Sequence, residues 1–162
     1  MSAIASFMLM PRAALEGLRR AAAPKKRLFF GPAKDTYWDF LEKHGKEVGD
    51  YRWSGYVLAT LLCCLEQDYQ INLLKSPYDD LGNFLSKARG NSHVVFCNEH
   101  KNTYLEKFDR AQFSVDKLRD YYNNFNEVDA PDAGVPMLDG VHSIQRSLAQ
   151  LDEASVVILI IE

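Results

Sequence analysis

No apolar run in this sequence approaches the roughly 20 residues a bilayer-crossing helix needs, so no segment is expected to span a membrane. Phosphate-binding loops of the G-x-x-x-x-G-K type are missing, as are G-x-G-x-x-G, G-x-S-x-G, H-E-x-x-H and C-x-x-C. Those gaps remove the common signatures of nucleotide enzymes, serine hydrolases, zinc proteases and thiol redox proteins. Cysteine is scarce too. Cys63, Cys64 and Cys97 cannot pair evenly, and the first two sit in an apolar helical stretch. That is the cysteine usage of a reducing compartment, and a cytoplasmic protein is the expectation.

What is present fits one globular domain over residues 1–162, long enough to bury a core without disulfides or metal. The segment Ala3 to Met10 has the apolar character of a signal sequence but no basic stretch before it, and Pro11 and Arg12 interrupt it. A strand followed by a helix uses those residues better. Net charge is only −3, but unevenly spread. From Pro11 to Lys46 nine basic residues face four acidic ones, whereas from Glu127 to Glu162 seven acidic residues face the single Arg146. Such an acidic third disfavours a grip on phosphate backbones. It reads either as a solvated face or as a surface for a basic protein partner.

Periodicity predicts the elements. Ser2 to Leu9 reads as a strand and Pro11 to Ala22 as a helix with Leu15 and Leu18 inward. Pro24 to Pro32 is a break carrying Lys25-Lys26-Arg27 and Leu28-Phe29-Phe30. Asp35 caps a helix bearing Tyr37, Trp38, Phe40 and Leu41. Arg52 to Gln67 is apolar over more than half its circumference, including Trp53 and Tyr56, and reads as the central core helix. Ser76-Pro77 starts a helix to Ala88, and Asp79 and Asp80 suit its dipole. His93 to Cys97 is a short strand, and Asn98 caps a helix to Phe108. Ser114 caps another with Val115, Leu118, Tyr121 and Tyr122 on one side. Asn123 to Gly134 is a loop, and Met137 to Leu151 a helix. The unbroken run Val156 to Ile161 is a strand buried on both faces. The fold class is therefore α+β, several helices on a small sheet that includes N- and C-terminal strands.

Four constellations bear on chemistry. His93, Cys97 and His100 have the types for a thiolate nucleophile beside histidine, or for part of a zinc site. The plainer reading, a core-facing cysteine with two surface histidines, is the one such isolated His and Cys matches favour. His142 and Arg146, one helical turn apart, have the spacing to hold an anion. The loop acids Glu127, Asp129 and Asp132 lack the alternation and glycine of a calcium loop. Lys25-Lys26-Arg27 with Phe29 and Phe30 is one basic cluster in an acidic chain, too little for a nucleic-acid surface. No cofactor or metal is implied.

Several patches are similar to the YfbM-like bacterial domains of unknown function. They are Met1-Ser2-x-Ile4-x-x-Phe7 with Leu15 and Leu18 after it, Tyr37-Trp38-Asp39-Phe40-Leu41, Gln112-Phe113-Ser114-Val115-x-x-Leu118, and the apolar C-terminal strand. About half the chain is covered; Glu66 to Asn91 and Asn123 to Gly134 depart from the pattern. The resemblance implies an α+β bacterial fold and supplies no reaction or site residues. Small cytoplasmic proteins of this type recur as immunity proteins. The expectation is thus a non-enzymatic immunity protein that occludes the basic active-site cleft of a secreted antibacterial toxin, such as a type VI effector. Glu127, Asp129, Asp132 and Asp139 would steer it, with Tyr121, Tyr122 and Phe125 as aromatic anchors. The alternative is an enzyme or a metal- or ligand-binding protein built around His93, Cys97 and His100.

Overall fold

A computed structural model describes residues 3–24 and 35–162. The basic cluster Lys25-Lys26-Arg27 and its neighbours Phe29 and Phe30 lie outside the described residues. Strand β1 (Ala5–Pro11) leads through a 3-10 turn into helix α1 (Leu15–Ala22). Helix α2 (Tyr37–His44), the two-residue strand β2 (Lys46–Glu47), and helices α3 (Gly55–Tyr69) and α4 (Asp79–Arg89) follow. Then come β3 (Ser92–Phe96), α5 (Asn98–Tyr104), α6 (Val115–Asn126), α7 (Gly134–Ala149) and β4 (Ser155–Ile161). The protein is α+β, and its sheet includes both terminal strands.

The sheet is antiparallel in the order β2-β1-β4-β3. β4 takes a central place between β1 and β3, which is why its apolar run does not alternate: both of its faces are covered. Val157, Leu159 and Ile161 join Phe7 and Phe96 in a core shared with α3 and α7. Val156, Ile158 and Ile160 join Met10 and Val95 under α1, α2 and α4. The result is three layers, helices on both sides of one sheet. Gly140 lets α7 approach α3, since a Cβ there would stand 2.7 Å from Leu61 and 3.1 Å from Leu58. β3 is an edge strand in the ladder but is shielded by α4, where a Cβ on Gly82 would stand 3.1 Å from the His93 carbonyl oxygen.

Some local expectations shift. Ser76 is not the helix cap. Its hydroxyl accepts from the Tyr78 N–H while Asp79 accepts from the Ser76 N–H, so a turn precedes α4. Asn98 is replaced as cap by Cys97, paired with His100. Ser114 caps α6 as expected. α6 runs on to Asn126, which shortens the loop to residues 127–133. Ser54 Oγ accepts from the Tyr56 N–H, so α3 begins only at Gly55 and Trp53 lies before it. Trp53 and Tyr56, expected in the core, are 45% and 62% exposed.

Candidate functional site

β3 puts His93 and Cys97 on one face of the sheet, and both are buried. His93 Nε2 lies 2.6 Å from the Tyr37 hydroxyl, with the two rings edge to face. Burial lowers the His93 pKa to about 4, so a neutral imidazole shares this hydrogen bond with the phenol, its direction set by the tautomer. Its Nδ1 forms no well-aligned hydrogen bond among the described residues, although the Asn91 backbone lies close enough to oppose part of the shift. Arg89 stands 4.5 Å over the Tyr37 ring and grips both carboxylate oxygens of Asp35, at 3.1 and 2.5 Å.

His100 serves a separate purpose. Its Nε2 donates to the Lys75 carbonyl at 2.7 Å, leaving Nδ1 to accept from the Cys97 N–H at 3.3 Å. The Cys97 sulfur lies 3.8 Å from that same nitrogen. Burial, with the Glu99 carboxylate beside it, pushes the Cys97 thiol up to about 11. A thiolate nucleophile needs the opposite shift. Cys97 and His100 thus close the first turn of α5 as a capping box. His93 is tied to Tyr37 instead, and neither histidine is on the surface. Among the described residues no three His, Cys, Asp or Glu side chains converge in a group able to hold a metal. Arg146 donates to Ser143 Oγ at 3.2 Å, and His142 beside it is half-buried.

The other candidates lie on the helices of the opposite face. Between the last turn of α3 and α6 runs an open groove of about 880 Å3, lined by Gln67, Asp68, Lys117, Asp120, Tyr121 and Phe125. Tyr121 and Phe125, one turn apart, stack at 5.7 Å, and the Tyr121 hydroxyl donates to Gln67 at 3.0 Å. Burial raises the Tyr121 pKa to about 12. Phe125 is 48% exposed, whereas Tyr122 packs half-buried against the core.

Glu127, Asp129, Asp132 and Asp139 are all exposed. Glu127 ends α6 in the left-handed conformation, φ 54°. Asp139 accepts from Trp53 Nε1 at 2.8 Å, which joins α7 to the segment before α3. Asn126 reaches Thr60 of α3 at 3.4 Å, one turn beyond the exposed Tyr56. Val128 and Val135, within the acidic stretch, are also exposed. The structure therefore adds Trp53 and Tyr56 to the residues the sequence pointed to. Their apolar spacing hid them, but Ser54 as a cap was a signal that Trp53 stands outside the helix.

Among the described residues no helix is long and apolar enough to cross a membrane. Comparison with protein-family models, curated proteins and solved structures finds no match.

Proposed function

We propose that this chain is a protein-binding module of the immunity type, a bacterial cytoplasmic protein that covers the basic active-site cleft of an antibacterial effector toxin. Membership among the YfbM-like domains is part of the same proposal. The observation that carries the reading is an acidic stretch left uncompensated. No Lys or Arg occurs between Arg119 and Arg146. Glu127, Asp129, Asp132 and Asp139 form no ion pair among the described residues, whose salt bridges lie elsewhere. Unpaired exposed carboxylates weaken a folded state slightly, by mutual repulsion, and steer a basic partner inward. Trp53, Tyr56 and Phe125 add the large, partly exposed rings that concentrate binding energy at interfaces. By contrast, Cys97 is a protonated thiol and His100 is spent on backbone capping.

The test is genetic and direct. Cells lacking the gene are grown in contact with their parent. They should be inhibited, and the wild-type gene should restore them. A folded variant with Glu127, Asp129, Asp132 and Asp139 all changed to Lys should fail to restore them. Unimpaired growth of the deletion strain beside its parent would refute the proposal.

A further inference from the structure

We infer that a second copy of this chain docks in the groove between α3 and α6, each copy seating its α6 in the groove of the other. This goes beyond the immunity reading and does not depend on it. Three charged side chains line the groove, Asp68, Lys117 and Asp120. Asp120 is held by Arg119 at 2.8 Å. That leaves Asp68 on the α3 wall and Lys117 on the α6 wall, one charge of each sign. Both residues are exposed, and they do not reach each other. Neither charged end has a hydrogen bond or ion pair among the described residues.

The two charges stand at nearly the same level. α3 and α6 run antiparallel, with Tyr121 bonded to Gln67 and Asn126 to Thr60. Asp68 therefore lies across the groove from the turn of α6 that holds Lys117. Lys117, Tyr121 and Phe125 follow at four-residue steps and form one ridge along α6. The two rings stack on each other, and Phe125 is 48% exposed.

A twofold interface joins a patch to its own image, so that residue i meets j and j meets i. With the twofold axis along α6, the ridge of each copy fills the groove of the other and levels along the helix are kept. Lys117 of one copy then meets Asp68 of the other, and two ion pairs form at once while the rings are covered. A basic cleft would instead press like charge against Lys117, which opposes binding. This groove therefore fits a copy of the chain better than a basic partner. Phe125 is covered in the pair, so an effector that contacts it displaces the second copy.

Sedimentation equilibrium of the purified chain, between about 1 and 500 μM, tests this. The average mass should rise with concentration from that of one chain toward that of two. Lys117→Asp and Asp68→Lys change exposed side chains whose charged ends have no partner, so both variants should fold. Each should raise the dissociation constant at least about tenfold, because like charges then face each other twice. An equimolar mixture of the two variants should return to within about threefold of the wild-type value, since every Asp again faces a Lys. A single-chain mass at every concentration, or a dimer untouched by either reversal, would overturn the interface. So would a mixture that associates no more tightly than the variants alone.

Discussion

The hydroxyl of Tyr37 and Nε2 of His93 stand 2.6 Å apart beneath α4, joining α2 to the edge strand β3. Around this contact the imidazole is buried, and burial favours its neutral form. His93 titrates at about 4 in the folded protein, chiefly because it is buried, against an ordinary value of 6.5. His100 is shifted the same way, again chiefly by burial. Between pH 4 and 6.5 the unfolded chain therefore binds more protons than the folded one. Stability should be complete above about pH 6.5, fall as pH drops toward 4, and level off below. The His93 share is about 3 kcal/mol at most. Urea unfolding at pH 7, 5.5 and 4.5 reads it, and His93→Gln should flatten the profile. Equal slopes in both proteins would contradict the assignment.

The three thiols should separate by reactivity. Burial pushes Cys64 up to about 12 and Cys97 up to about 11, whereas Cys63 is half-exposed. Native protein at pH 7.5 treated with an aromatic disulfide reagent should release one equivalent quickly, from Cys63. The other two should react only on unfolding. Rapid modification of Cys97 in the native state would show that the capping box is not closed. His100→Ala, which strips the cap and orphans the Lys75 carbonyl, should destabilise by about 1–2 kcal/mol without activating that thiol.

Among the described residues, two other than glycine end helices in the left-handed region, Gln70 after α3 and Glu127 after α6, both at φ 54°. A side chain there costs about 1 kcal/mol relative to glycine. Gln70→Gly and Glu127→Gly should each raise stability by about 0.5–1 kcal/mol in thermal unfolding. Only Glu127→Gly should weaken partner binding, because Gln70 lies off the acidic stretch. Parallel loss of binding in both variants would detach the acidic stretch from function.

Much of this architecture is legible in the residues because burial leaves periodic marks. The unbroken run Val156 to Ile161 indicated a strand covered on both faces, and it is central. Ser114 is a standard cap and begins α6. Less was legible where tertiary partners decide. β2 is only Lys46–Glu47, two exposed polar residues with no pattern, and it exists because β1 offers Met8 and Leu9 as partners. Cys97 is an unusual cap that works because His100 reaches back. At the candidate site the carboxylates were visible in the charge balance. Trp53 and Tyr56 were not, since their spacing continues the apolar stripe of α3 although Trp53 lies before the helix and Tyr56 in its exposed first turn.

The central claim is that the acidic stretch steers a basic partner. Its most direct test is the association rate with the effector identified by the growth assay, followed as ionic strength rises from about 0.05 to 0.5 M. For the wild-type chain that rate should fall at least about tenfold. For the variant with Glu127, Asp129, Asp132 and Asp139 neutralised to Asn or Gln, it should start lower and change little. A wild-type rate independent of salt, or an equal salt dependence in the neutralised variant, would contradict the claim.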